Sequence, residues 1–215
     1  MTQRRAIQAG NLWLAKALWE LGAVRFGEFT VGRTIGSPVY VNPRHLIGKP
    51  ALLRRVATVM EGEIKARQNM RRPECHPFTL VAGVPYGGLH LASAFSLRTK
   101  APMVYARPQG DGKQQIVEGL FDPGERVLIM DDLITSGTSI VESAQVLRSH
   151  DLVVSDAVVL IDRDQGGHKR LKGEGINLIS LLRLPVMLNY YMSRRWISED
   201  WFRRSIEFIE GHRTP

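Results

Sequence analysis

The chain has 215 residues, of which 44% are hydrophobic, and it contains a single cysteine, Cys75. This length fits one α/β domain with a useful core, and the lone cysteine excludes an intrachain disulfide and suits a reducing cytoplasm. The net charge of +8 favours anionic partners, but the basic residues are scattered rather than grouped as in nucleic-acid motifs. No apolar run reaches the roughly 18–20 residues of a membrane helix. We therefore expect a cytoplasmic protein that binds small polyanions, without nucleic-acid or membrane partners.

Hydrophobic periodicity predicts alternating helices and strands, beginning with an amphipathic helix at residues 6–21 and extended segments within residues 29–42. Further helices are predicted at residues 50–68, 89–97, 138–149 and 185–192, and strands at residues 78–82, 103–106, 127–130, 156–161 and 176–181. This alternation implies an α/β fold in which helices flank a parallel sheet with right-handed crossovers. We expect one domain over residues 1–215, with an N-terminal hood at roughly 22–48, a core at roughly 50–192 and a C-terminal helix at roughly 198–210.

The most informative stretch is residues 127–139, where an apolar run ends in Asp131 and Asp132 and a loop of Thr, Ser and Gly leads into a helix. The apolar run is typical of a buried parallel strand, and ligands bind at the carboxyl ends of such strands. Two adjacent carboxylates suit the hydroxyl donors of a vicinal diol, and a cation would add compensating charge. Free amides at a helix start favour a phosphate, and Gly137 permits a close approach or a positive φ angle. The pattern predicts a site for a phosphorylated sugar; the alternative is an ordinary strand–turn–helix with a Ser or Thr cap.

This stretch resembles the phosphoribosyl-pyrophosphate motif of type I phosphoribosyltransferases. In that family the acidic pair faces the ribose 2′ and 3′ hydroxyls, and the following loop holds the 5′-phosphate. The resemblance implies a catalytic role for Asp131 and Asp132 and an indirect contact of both with Mg²⁺. It also implies that phosphoribosyl pyrophosphate is bound by Asp131, Asp132, Leu133, Ile134, Thr135, Ser136, Gly137, Thr138 and Ser139.

Further segments, in the same order and spacing, narrow the resemblance to orotate phosphoribosyltransferases. They are a hood at residues 25–30 and 37–42, a pyrophosphate loop at 83–88, a strand at 116–119 and a strand and turn at 160–167. The resemblance implies a type I phosphoribosyltransferase fold that works as a homodimer. It also implies the magnesium-dependent transfer of a phosphoribosyl group to orotate, with release of pyrophosphate, as a step of pyrimidine biosynthesis.

On the base side, the resemblance assigns orotate binding to Thr135, Arg163 and Tyr40. A guanidinium after a buried strand suits a carboxylate, which it binds with two hydrogen bonds. The alternatives for Arg163 are a surface residue or a structural ion pair with Asp162 or Asp164. For Tyr40 the alternative is an ordinary hydrophobic hood residue.

On the diphosphate side, Tyr86 and Gly87 are expected to bind the donor, because Gly87 and Gly88 expose backbone amides. The alternative is a turn that simply needs glycine. Arg107, to which the resemblance also assigns donor binding, opens a predicted lid over residues 107–115 and keeps the arginine that the family has there.

The lid departs from the family pattern. Pro108 stands where the family has a lysine, and Lys113, which we assign a catalytic role, is the lysine that remains; the alternative is a solvated loop residue. In the hood, Arg33 lies one position after the family's lysine. Cations over a departing pyrophosphate supply electrostatic stabilisation. The departures therefore leave open a slow enzyme, other cations, another base, or a non-catalytic binding protein that kept the phosphate loop.

Overall fold

The computed structural model describes residues 11–31, 34–107 and 116–212. The strands are β1 (Val24–Val31), β2 (Thr34–Val41), β3 (Leu80–Gly83), β4 (Met103–Arg107), β5 (Ile116–Glu118), β6 (Arg126–Ile134), β7 (Val153–Asp162) and β8 (Asn177–Arg183). The α-helices are α1 (Leu12–Glu20), α2 (Pro50–Gln68), α3 (Gly87–Thr99), α4 (Thr138–Arg148), α5 (Gly167–Gly173), α6 (Leu184–Ser193) and α7 (Glu199–Gly211), and a short 3-10 helix spans Pro43–Gly48.

A six-stranded sheet in the order β5–β4–β3–β6–β7–β8 forms the centre of the protein. Strands β4, β3, β6, β7 and β8 are parallel, which confirms the predicted α/β class. The expectation of parallel strands is wrong at one edge, because β5 runs antiparallel to β4 with Ile116 opposite Arg107. An antiparallel pair of strands does not require the long crossover connection that parallel strands need.

Strand β6 is buried on both faces, which explains its continuous apolar sequence. Leu128 and Met130 pack into one core with the hood and helices α1, α2, α3 and α6. Val127 and Ile129 pack into a second core with helix α4. Each fully buried side chain of this kind contributes about 1.5–3 kcal/mol, so the strand carrying the acidic pair is held firmly.

The predicted hood is an antiparallel hairpin of β1 and β2, with Val24 opposite Val41. Its Phe26 ring lies 6.2 Å from that of Trp201 in α7, and Trp196 lies 5.3 Å from Trp19 in α1. Trp196 and Trp201 therefore both pack against other elements of the same chain. Their packing ties the hood to the rest of the chain.

Several predicted boundaries differ from the structure. The predicted strand at 127–130 continues as β6 through the acidic pair to Ile134, and the predicted turn after Arg163 continues into the short helix α5. Residues 6–10 of the predicted first helix lie outside the described residues. In the described parts of the chain, no helix combines the length and apolar character that crossing a membrane requires.

Candidate functional site

The acidic pair lies buried in the last part of β6. Asp131 and Asp132 each expose 7% of their surface, and the Asp132 amide donates a 2.8 Å hydrogen bond to Asp131 Oδ1. Burial raises the pKa of Asp131 well above its ordinary value, and the negative charge of Asp132 raises it further. The pair therefore favours hydroxyl donors or a cation beside it.

Helix α3 begins directly against this pair because its first residues are glycines. A Cβ atom on Gly87 would lie 2.3 Å from Asp132 Oδ2, and one on Gly88 would lie 2.2 Å from the Met130 carbonyl oxygen. Glycine is thus required here for close packing against β6, and not only for the turn considered as the alternative. The peptide bond between Pro85 and Tyr86 is cis, and the Tyr86 side chain is exposed.

The loop after β6 has the conformation of a phosphate-binding helix start. Gly137 has a φ of +81° and precedes Thr138, the first residue of α4. No side chain caps this helix, because glycine occupies the N-cap position, so the alternative of an ordinary Ser or Thr cap is not what forms. The Ser136 and Thr138 hydroxyls lie 3.0 Å apart, which leaves a polar rim beside the first amides of α4.

Arg163 is a buried cation that points toward the hood. Its guanidinium donates hydrogen bonds to Gln165 Oε1 at 3.0 Å and to Ser37 Oγ at 3.1 Å, both of which are neutral. Burial lowers its pKa to about 10. Asp164, one of the two partners considered from sequence, instead forms a 2.6 Å ion pair with Arg183. Among the described residues no carboxylate forms an ion pair with Arg163, so the surface and ion-pair alternatives are both wrong.

The main chain joins the Arg163 turn to the phosphate loop. The Arg163 amide donates to the Ile134 carbonyl at 3.0 Å, and the Gly167 amide donates to the Thr135 carbonyl at 3.0 Å. A Cβ atom on Gly167 would lie 2.6 Å from that same Thr135 oxygen. The two segments therefore pack backbone against backbone.

A cavity of about 240 Å³ separates the acidic pair from the hood. Tyr40 lines it from β2, with its ring 5.4 Å from that of Phe29. The cavity brings together groups that are far apart in sequence, namely Ser37, Tyr40, Arg44, Asp131, Asp132, Thr135, Ser139 and Arg163. Carboxylates, hydroxyls and a buried guanidinium around one cavity suit a ligand with a sugar diol at one end and a carboxylate at the other.

Comparison with known proteins agrees with this geometry. The family described as "Phosphoribosyl transferase domain" matches residues 49–175. An orotate phosphoribosyltransferase from Caenorhabditis elegans is 32% identical, over 85% of this chain and 78% of that protein. The chain belongs to the phosphoribosyltransferase family. The predicted family and enzyme class, a pentosyltransferase, are thereby confirmed.

Other relatives extend the same likeness. The crystal structure of orotate phosphoribosyltransferase from Aeropyrum pernix superposes with a TM-score of 0.69 at 33% identity, covering 86% of this chain and 99% of that one. The Bos taurus uridine 5′-monophosphate synthase is 34% identical over 92% of this chain. The chain spans 40% of that synthase's length. The predicted likeness to orotate phosphoribosyltransferases is therefore confirmed.

Not every predicted residue of this phosphoribosyltransferase lines the cavity. Leu133, Thr135, Ser139 and Gly87 do, whereas the cavity lining does not include Tyr86, Arg107, Ile134, Ser136, Gly137 and Thr138. Ile134 is buried in the core, and Arg107 pairs with Glu118 at 3.2 Å. Lys113 and Arg33 lie outside the described residues, so their roles stay predictions.

Sequence reasoning missed two arginines of this site. Arg44 Nε lies 3.3 Å from Asp132 Oδ2, and Arg170 Nη1 donates to Thr138 Oγ1 at 2.7 Å. The signal for Arg44 was its position, two residues after the hood segment at 37–42. For Arg170 the signal was the string of basic residues that follows Gly167, in helix α5 where only a turn was expected.

The carboxylates of the site fit a magnesium ion that is shared with a substrate, rather than one enclosed by protein ligands alone. Among the described residues, no three His, Cys, Asp or Glu side chains are grouped to hold a metal. Mg²⁺ commonly binds one or two carboxylates and completes its shell with water and substrate phosphates. Asp131 and Asp132 would hold it in this partial way, directly or through water.

Proposed function

We propose that this chain is an orotate phosphoribosyltransferase, which makes orotidine 5′-monophosphate and pyrophosphate from orotate and phosphoribosyl pyrophosphate. The observation that carries the proposal is the pairing, across one cavity, of the acidic pair with the buried guanidinium of Arg163. These are the complements of a ribose diol and of the orotate carboxylate.

The donor half of the site accounts for every part of the activated sugar. The ribose hydroxyls donate to Asp131 and Asp132, because buried carboxylates need hydrogen-bond donors. The 5′-phosphate takes the free amides at the start of α4, next to the Ser139 hydroxyl. The pyrophosphate lies toward Gly87, at the start of α3.

The base half selects for a carboxylate. Desolvation has already lowered the pKa of Arg163 to about 10, and the neutral groups around it give no opposite charge. A bound orotate carboxylate supplies that charge and two acceptors for the guanidinium. Tyr40, half-buried at the cavity wall, covers the planar ring.

In the reaction, orotate N1 forms a bond to ribose C1 while the bond from C1 to the pyrophosphate oxygen breaks. The electron pair of the broken bond leaves with pyrophosphate, and the N1 proton passes to solvent. The transition state resembles a ribosyl oxocarbenium ion, so positioning and charge stabilisation supply most of the catalysis. Bound Mg²⁺ would neutralise part of the pyrophosphate charge. A homodimer, implied by the resemblance, and a cytoplasmic location, which suits the single cysteine, complete the proposal.

The assay is the loss of orotate absorbance with donor and Mg²⁺. Wild-type protein turns over, and Asp131→Asn and Asp132→Asn variants lose about 10²–10³-fold, the usual cost of removing a charged transition-state contact. Asp122→Asn, which changes an exposed aspartate, serves as the control. If the wild type is inactive with orotate but active with another base, that base replaces orotate in the proposal. Donor binding without turnover of any base would favour a non-catalytic protein.

A further inference from the structure

Arg44 is held over the acidic pair from the hood side. It follows Pro43 at the start of the 3-10 helix, and its amide donates to Asn42 Oδ1 at 3.3 Å. The guanidinium Nε reaches Asp132 Oδ2 at 3.3 Å, yet 59% of the side chain stays exposed. The residue is thus held at its backbone, and its largely exposed side chain contacts Asp132 at the cavity that both residues line.

Its position is next to the start of α3. The Asp132 oxygen that Arg44 contacts is the atom that a Cβ on Gly87 would approach to 2.3 Å. Arg44 and Gly87 therefore flank one carboxylate oxygen. A diphosphate seated against Gly87 would come within reach of the Arg44 guanidinium.

The charges around the cavity also single out Arg44. Among the described residues that line it, the cations are Arg44 and Arg163. Arg163 is buried, and its guanidinium already donates to Ser37 and Gln165. Arg44 is the described cation left to meet a strongly anionic diphosphate at the acidic pair.

We propose that Arg44 binds the pyrophosphate of the donor and stabilises it as it leaves. This inference rests on the proposed function of the same site. When the ribose hydroxyls donate to Asp132, the guanidinium turns from that carboxylate to the pyrophosphate oxygens, where it makes charge-assisted hydrogen bonds. As the bond from C1 to oxygen breaks, the electron pair stays on that oxygen and Arg44 donates to it without transferring its proton. Arg44 thereby provides a cation that the altered lid sequence lacks.

The rival role is structural: Arg44 would only hold Asp132 in place. The two roles predict different losses of ligand affinity when the guanidinium is removed. A structural role weakens every ligand that touches the acidic pair, including ribose 5-phosphate. A role on pyrophosphate weakens pyrophosphate and slows turnover, while ribose 5-phosphate binds as before.

The experiment compares Arg44→Gln, Arg44→Lys and wild type with the surface control Arg203→Gln, whose guanidinium pairs with Asp200 at 3.0 Å. For Arg44→Gln we expect kcat to fall about 10-fold or more and pyrophosphate inhibition to weaken by a similar factor, as for loss of a charged hydrogen bond. For Arg44→Lys, both quantities should lie between those of wild type and Arg44→Gln. The KM for orotate and the affinity for ribose 5-phosphate should stay within about 2-fold of the wild-type values.

The inference is overturned if Arg44→Gln keeps wild-type kcat and pyrophosphate inhibition, or if it loses ribose 5-phosphate as much as pyrophosphate. Calorimetric titration of magnesium pyrophosphate into wild type and Arg44→Gln measures the same loss of affinity without turnover. Should wild type fail to convert orotate, the proposed function fails, while this titration still decides the role of Arg44. Thermal unfolding checks that the variants are folded. If Arg44→Gln is not folded, Arg44→Lys takes its place in the comparison with wild type.

Discussion

The two walls of the cavity bury charges of opposite sign, and neither is fully neutralised by the described protein groups. On the acidic wall, Asp131 and Asp132 lie side by side, and burial together with the negative charge of Asp132 raises the pKa of Asp131. On the basic wall, Arg163 is surrounded by the neutral groups of Ser37 and Gln165. The ligand therefore completes the electrostatics of this site, with hydroxyls or a cation at one wall and an anion at the other.

On the use of orotate by the basic wall, the largest effect is expected from removing the charge of that wall with Arg163→Met. A charged contact with two hydrogen bonds contributes about 1.5–3 kcal/mol, so kcat/KM for orotate should fall roughly 10- to 150-fold. Steady-state kinetics measure this loss, and ribose 5-phosphate affinity should stay within about 2-fold because the acidic wall is untouched. Arg183→Met is the control, since Arg183 lies on neighbouring β8 and pairs with Asp164. Unchanged kinetics with orotate would remove Arg163 from the base site.

The next effect tests how tightly the acidic wall is packed. In Gly87→Ala the added methyl group would sit 2.3 Å from Asp132 Oδ2, so the buried Asp132 carboxylate must be displaced. We expect a loss of about 1–3 kcal/mol in the free energy of unfolding, together with lower turnover. Denaturant unfolding measures the first quantity. Gly62→Ala is the matched control, since its Cβ meets nothing within 4 Å in α2, and it should stabilise by up to about 1 kcal/mol.

The smallest effect concerns the charge of the acidic wall alone. Because the pKa of Asp131 is raised by burial, the folded protein binds a proton there more tightly than the unfolded chain does. Unfolding stability then falls as pH rises from the ordinary aspartate range toward the raised folded value. Asp131→Asn removes this slope, and its amide oxygen can still accept from the Asp132 amide.

We therefore expect Asp131→Asn to be less active but more stable near neutral pH than the ligand-free wild type. Thermal unfolding over a range of pH values measures both the stability and its slope, with Asp122→Asn as the control. A pH slope as steep in the variant as in the wild type would show that Asp131 does not carry it.

The acidic wall was predictable from sequence because its parts are contiguous. Strand β6, the pair Asp131 and Asp132, and the glycine turn at Gly137 follow one another, so periodicity and turn chemistry were enough. The extension of β6 through the pair was not predicted, because charged residues rarely lie inside a buried strand. Its pairing with β7, up to Ile134 opposite Asp162, fixes the extended conformation.

The basic wall was predictable only in part. The resemblance identified Arg163 and Tyr40, but the bond from Arg163 to Ser37 joins residues 126 positions apart, and that from Arg44 to Asp132 spans 88. Such contacts depend on where the hood hairpin packs, which periodicity does not determine. The antiparallel direction of β5 was missed for a related reason, since strand patterns do not encode the partner's direction.

Under the proposed function, the backbone bonds between the Arg163 turn and the loop before α4 bear on how this protein could change its choice of base. Amide and carbonyl groups are the same in nearly every amino acid, so the span between anchored sugar and nucleobase is insulated from most mutations. Side chains such as Arg163 and Tyr40 could be exchanged for others without altering that span. Such an arrangement permits a different heterocycle to bind while the sugar carbon that forms the glycosidic bond keeps its position relative to the base.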